Sequence, residues 1–347
     1  MNIMAASTAV STATLQLDYL SSEQIRSQSP AWWENVLGVV GFERPPLIDV
    51  VRIPVGASMT PALGTRGICE VWRVDGAPIE LISGETRHGH VRYRCCDDLL
   101  FGSLTIAERD DADEARALLQ ATETAYREVF DVLNRTEHRH LIRIWNYLPE
   151  INRQIRGDER YRLFNSARQL AFRNSGRATT GAVPAACALG SPAGSPLSIY
   201  FLAARKPPKM IENPRQTSAY HYPPKFGKHR PIFSRACVWG EPGCARLFVS
   251  GTASIVGHET IHLGDVAAQT RETMVNICAL LDEANRIVGS ARYSAAALKL
   301  KVYARRAEDL PAIKAALSLT LRPATQVLYL QADVCREDLL VEIEAVG

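Results

Sequence analysis

Two segments, one in each half of the chain, run through the same succession of patterns. In the first, the strand-like "DDLLFGSLTIAE" precedes the long amphipathic helix "DADEARALLQATETAYREVFDVLNR" and a second strand, "HLIRIWNYL". In the other, "ARLFVSGTASIV" precedes "DVAAQTRETMVNICALLDEANRIV" and "ALKLKVYAR". Both copies open on Leu-Phe-x-Ser, at Leu100, Phe101 and Ser103 and at Leu247, Phe248 and Ser250. A repeated unit constrains architecture more than any single motif, because each copy must bury its apolar face against a neighbour. Strand–helix–strand in duplicate predicts an α/β protein of two modules, residues 1–153 and 154–347, with most candidate residues in the second. Chance recurrence of a common pattern is the alternative.

Between the copies, "DERYRLFNSARQLAFRN" has helical character and "LSIYFLAA" is an apolar, strand-like run. The segment "PPKMIENPRQTSAYHYPPKFGKHRPIF" is rich in proline and aromatic residues. It is too rigid for a disordered linker and has the composition of an ordered loop that walls a site. The C-terminal "VCREDLLVEIEAVG" reads as a closing strand.

Composition excludes several classes. A net charge of +3 over 347 residues, without a dense Lys/Arg block, gives no nucleic-acid footprint. No apolar run is long enough to span a membrane, and "MNIMAASTAVSTATLQL" lacks the basic and apolar regions of a secretion signal. The eight cysteines are scattered with no C-x-x-C, as expected of reduced thiols in a cytoplasmic protein.

His258-Glu259-Thr260-Ile261-His262 matches the H-E-x-x-H signature of zinc peptidases. The signature works only on a helix, where both histidines share a face and the glutamate serves the metal-bound water. Here Gly257 and Gly264 bracket the pair, and helical periodicity starts only near Asp265. The metzincin glycine is replaced by Asp265, and Glu283 is a weak third ligand. The expectation is a polar loop without metal.

Other residues suit chemistry better. Tyr161 and Arg168, seven apart on the intervening helix, fall within roughly 20° of one face. They can hold an anionic, ring-containing ligand, or be a packed tyrosine beside a snorkelling arginine. Arg235, between Phe233 and Cys237, points into apolar surroundings and needs an anionic partner, either a structural carboxylate or a substrate. Tyr222 lies in the proline-rich loop. In "LLVEIEAV" alternation puts Leu340, Glu342 and Glu344 on one face. Glu342 is an exposed edge residue or, on an apolar face, an acid with a raised pKa able to deliver a proton. Cys335 reads as a small buried residue or a cavity neighbour, and Gly251 as a turn glycine or a place where a side chain would intrude.

Taken together these residues resemble the chorismatases. The resemblance rests on Tyr161-x-x-Phe164-Asn165-x-x-Arg168, on Tyr222-Pro223 through Phe226-Gly227 to Phe233-x-Arg235, on "LFVSGTASIVGHE" with "GDVAAQTRET", and on "LLVEIEA". It covers roughly residues 155–347 and looks close to the bacterial bifunctional 3-hydroxybenzoate/4-hydroxybenzoate synthases, whose products feed pigment and ubiquinone synthesis. The resemblance implies two YjgF/RidA-like modules with helices packed on mixed sheets, and chorismate as the small-molecule substrate. It implies Glu342 as general acid, and Tyr161, Arg168, Tyr222 and Arg235 as substrate-binding residues. Gly251 and Cys335 go, in the family, with the hydroxybenzoate outcome rather than with hydrolysis to a dihydrodiol. The chemistry is redox-neutral and calls for no cofactor or metal. A non-catalytic protein that senses an aromatic acid is the competing class, and self-association is left open.

Overall fold

Period-two and period-3.6 patterns resolve into three sheets in a computed structural model that describes residues 14–42, 56–58, 67–75, 82–86, 91–109 and 113–347. Residues 1–13, part of the segment judged unlike a secretion signal, lie outside the described residues. A small sheet contains β1 (Thr14–Ser21), β2 (Val36–Gly41), β3 (Gly56–Ser58) and β4 (Ile68–Asp75), in the order β1-β4-β2-β3. Two short helices, α1 (Ser22–Arg26) and α2 (Pro30–Glu34), connect β1 to β2. Their serine caps, Ser21 and Ser29, accept from the backbone N–H of Gln24 and Trp32.

The first large sheet is built from β5 (Ile82–Glu85), β6 (Val91–Cys95), β7 (Leu99–Ile106), β8 (His140–Pro149), β11 (Ala185–Ser191) and β12 (Leu197–Ala204). Its helices are α3 (Glu114–Arg135) and α4 (Arg160–Asn174), with a hairpin of β9 (Gln154–Ile155) and β10 (Asp158–Glu159) between β8 and α4. The second large sheet is built from β13 (Lys209–Ile211), β14 (Ala236–Trp239), β15 (Arg246–Thr252), β18 (Lys299–Ala304), β19 (Val327–Gln331) and β20 (Val341–Val346). It carries α5 (Val266–Val288) and α6 (Leu310–Leu317), and a hairpin of β16 (Ile255–Val256) and β17 (Glu259–Thr260) lies ahead of α5.

The duplication is complete at the level of strand order. One sheet runs β5-β6-β7-β12-β8-β11 and the other β13-β14-β15-β20-β18-β19. In each, the central strand (β12 or β20) is antiparallel to both neighbours, and the parallel edge pair brackets a helix. The first large sheet draws strands from both sides of residues 153 and 154. Tyr147 opposes Ser198 and Tyr303 opposes Glu342, so Ser198 corresponds to Glu342. Aligning Leu-Phe-x-Ser likewise sets Leu104 against Gly251. The hydroxyls of the two corresponding tyrosines meet at 2.8 Å.

The helices form because their apolar residues recur on one face. In α3, Leu118, Ala121, Ala125, Val129, Val132 and Leu133 are all buried, with Asp113 capping the N-terminus. α5 is capped by Asp265 and stopped by Gly289 in the left-handed region, φ 71°. These helices cover the outer faces of their sheets. The inner faces pack on each other and on the small sheet, through Trp72, Trp145, Tyr200, Phe248, Tyr303 and their neighbours. Strands covered on both sides are buried throughout, which is why β12 reads as a continuous apolar run rather than an alternating one. Each fully buried large apolar side chain contributes about 1.5–3 kcal/mol. Among the described residues no helix is long and apolar enough to cross a membrane.

Candidate active site

At one end of the seam between the two large sheets lies a cavity of about 410 Å³, walled by Tyr161, Tyr222, Phe226, Phe233, Arg235, Gly251, Cys335, Arg336 and Glu342, among others. Six of the seven residues singled out in the sequence therefore meet here. The seventh, Arg168, does not line the cavity. It is buried behind the wall, donates to the Ile232 carbonyl, and has its guanidinium carbon 5.6 Å, 6.0 Å and 5.9 Å from the ring centres of Tyr126, Phe164 and Phe172.

Glu342 is on the central strand of its sheet, not on an edge. Val341, Ile343 and Ala345 pack beneath the helices, so alternation turns Glu342 and Glu344 towards the seam. Glu342 is 3% exposed, and its Oε1 has no hydrogen-bond partner among the described residues. Burial pushes its carboxyl up to about 8 and the charge of Glu344 adds to this, while Arg143, Arg235 and Arg305 pull the other way. A carboxyl in this state holds a proton near neutral pH and can donate it.

Gly251, on β15, is what makes room for that carboxyl. A Cβ there would stand 1.9 Å from Glu342 Oε1 and 3.0 Å from Cys187 Cβ. The space is taken by the acid rather than held open for a turn. Cys335 comes from the loop between β19 and β20. Its thiol is pushed up to about 12 by burial and by the neighbouring Glu342, so it is a neutral wall group. Tyr161, in the first turn of α4, has its hydroxyl pushed well above the ordinary tyrosine value by burial.

Arg235 is 3% exposed and donates from Nη2 to the Thr217 carbonyl at 2.8 Å and the Tyr222 hydroxyl at 2.7 Å. Its guanidinium carbon is 5.7 Å and 5.2 Å from the ring centres of Tyr222 and Phe233. Its Nε is unpartnered, and the carboxyls that feel its charge are those of Glu212, whose oxygens are buried, and of Glu342. Burial holds both of those carboxyls towards their neutral forms, so the Arg235 charge is open to an anionic ligand.

Arg336 escaped the sequence reading. Its guanidinium carbon is 4.1 Å from the Phe226 ring centre and 5.1 Å from that of Tyr222, and Nη1 donates to the His258 carbonyl at 2.9 Å. Its Nη2 is buried without a partner. The cavity wall thus holds Arg235, Arg336 and the more exposed Arg162, which lies 3.7 Å from Glu159, while Arg168 is behind it. Nothing in "VCREDLL" marked Arg336, because its position is set by a hairpin far away in sequence.

That hairpin holds the HETIH segment. Glu259 and Thr260 are in β17, and His262 has φ 60°, so the two histidines do not share a helical face. His258 Nε2 instead lies 3.0 Å from Glu259 Oε1, and His262 Nε2 3.7 Å from Glu272 Oε2. The segment shapes the site by presenting a backbone carbonyl to Arg336.

A cavity with arginines, aromatic walls and a protonated carboxyl defines a class: an α/β enzyme acting on a small anionic molecule. Comparison with known proteins narrows it. Residues 70–203 match the family described as chorismatase FkbO/Hyg5-like, N-terminal. A 3-hydroxybenzoate synthase of Streptomyces hygroscopicus is 40% identical over 236 residues, covering 65% of this chain and 69% of the relative. A chorismatase of Streptomyces rapamycinicus is 35% identical over 300 residues, covering 84% and 86%. The crystal structure of a chorismatase superposes with a TM-score of 0.83 at 31% identity, covering 97% of this chain and 99% of that one. This chain belongs to the chorismatase family and is a chorismate-cleaving enzyme.

Proposed function

We propose that the enzyme converts chorismate to 3-hydroxybenzoate and pyruvate, with 4-hydroxybenzoate as a second product, and that Glu342 is the general acid. The observation that carries this reading is the Glu342 carboxyl itself: buried, unpartnered at Oε1, and facing a cavity from which Gly251 withholds any side chain. Chorismate is a cyclohexadiene with a ring carboxylate, a ring hydroxyl and an enolpyruvyl ether that carries a second carboxylate. Arg235 and Arg336 offer one guanidinium to each carboxylate, and Tyr161, Tyr222 and Phe226 lie against the ring.

Glu342 protonates the enolpyruvyl group as its ether bond to the ring breaks, and the bonding pair leaves with the departing pyruvate. For 3-hydroxybenzoate the neighbouring ring hydroxyl bonds to the vacated carbon as it loses its proton. Reopening of that epoxide-like ring gives the phenol. The ring surrenders one proton overall, so the acid is restored, and no water is consumed. The relative named 3-hydroxybenzoate synthase supports this product, as do Gly251 and Cys335.

The test is incubation of purified enzyme with chorismate and chromatography of the products. Hydroxybenzoate and pyruvate in equal amounts are expected, and a dihydrodiol as main product would overturn the product assignment. Glu342→Gln should bind chorismate and lose about 10²–10⁴-fold in turnover. A variant with wild-type turnover would remove Glu342 from the mechanism.

A further inference from the structure

Two carboxyls sit side by side on the inner face of β20, and they are treated oppositely. Glu344 accepts from Lys301 Nζ at 2.6 Å, Trp145 Nε1 at 2.8 Å and the Tyr303 hydroxyl at 3.0 Å, and also pairs with Arg143. Glu342 Oε1 accepts from nothing among the described residues. Lys301 is in turn shared with Glu70 of β4, whose other oxygen accepts from Trp72 Nε1 at 2.6 Å. Glu70, Lys301, Glu344 and Arg143 are each at most 4% exposed, and their formal charges cancel. Replacing such a buried set by apolar residues is often neutral or stabilising, so stability alone does not explain it.

We propose that Glu344 is a positioning residue for the reaction: held as an anion by Arg143 and Lys301, it keeps the neighbouring Glu342 carboxyl protonated for its task. The inference rests on Glu342 being the general acid. Two like charges this close on one strand face cannot both be carried cheaply, and the partners decide which group ionises. Around Glu342 stand Arg143 from β8, Cys187 from β11, Tyr303 from β18 and Tyr161 from α4. Arg235, Arg305 and Cys335 reach it from loops. The three arginines favour the ionised form, and burial with the Glu344 anion opposes them. Without Glu344, the cations next to Glu342 would be left in excess.

The experiment is the pH dependence of kcat/KM. Wild type should lose activity as pH rises through the range where Glu342 ionises. Glu344→Gln should move that limb to lower pH by about one unit, whereas Glu344→Asp, which keeps the charge, should leave it in place. If Glu344→Gln does not fold, the charge-balanced pair Glu344→Gln with Lys301→Met carries the same expectation. A limb unmoved in the Gln variants, with activity lowered evenly at every pH, would overturn the proposal and leave a structural role. A wild type without an alkaline limb would instead overturn Glu342 as the acid, so the two failures are distinguishable.

Discussion

Gly251 and Glu342 are coupled by contact, and their coupling can be tested with a single methyl group. In Gly251→Ala the new Cβ would stand 1.9 Å from Glu342 Oε1, so the carboxyl must move. Position 251 does not require a left-handed backbone, so strain is not the issue. Turnover should fall at least tenfold with a smaller effect on Tm, and any change in product ratio should come with it. An alanine variant with full turnover but altered products would show that Gly251 acts on the ring alone. The arginines separate in a similar way. Arg235→Ala and Arg336→Ala should each weaken binding by roughly 2–5 kcal/mol, read as KM or by titration, because each leaves a substrate carboxylate unpaired. Arg168→Ala, buried among Tyr126, Phe164 and Phe172, should instead lower Tm. Wild-type Tm with a selectively raised KM would return Arg168 to the binding set. The sequence placed Arg168 and Tyr161 on one helix face correctly, but two turns along that face lead from the cavity into the core.

Elements whose periodicity is unambiguous were legible from the sequence: β7, α3 and β8, their counterparts β15, α5 and β18, and the closing strand β20. Alternation also placed Glu342 and Glu344 on a common face. It could not show that both faces of β20 are covered, since that depends on α5 packing from one side and the other large sheet from the other. The hairpin β16–β17 shows the same limit. Its glycines argued against a helix, but the link from the His258 carbonyl to Arg336 spans 78 residues and leaves no local trace. The contact to Arg336 uses backbone, and the His258 ring meets the site only as an edge against Phe226, 5.8 Å between ring centres. His258→Ala and His262→Ala, and exposure of wild type to a chelator, should each leave turnover within a few-fold of normal. Activity lost on chelation and restored by zinc would contradict the geometry of this hairpin.

At the scale of the whole molecule, the raised acid carries a stability cost with a definite sign. A group whose folded pKa rises from 4.5 to about 8 binds more protons folded than unfolded between those values. Its contribution is therefore favourable at low pH and is lost progressively as pH rises from about 4.5 to about 8. Glu344, held below the usual carboxylate range by Lys301 and Arg143 against the effect of burial, has the opposite linkage and loses stability in acid. Glu342→Gln should thus be more stable than wild type at alkaline pH, by on the order of a few kcal/mol, and the gap should close towards pH 4–5. Denaturant unfolding of both proteins across this range checks it, and parallel curves would mean that Glu342 titrates normally. The doubled architecture has a further consequence, in the history of the chain. An ancestor with two equal halves would have possessed two equivalent positions for an acid, and the other half now carries Ser198 where this one has Glu342. Redundancy of that kind lets one half drift into scaffolding without loss of fitness.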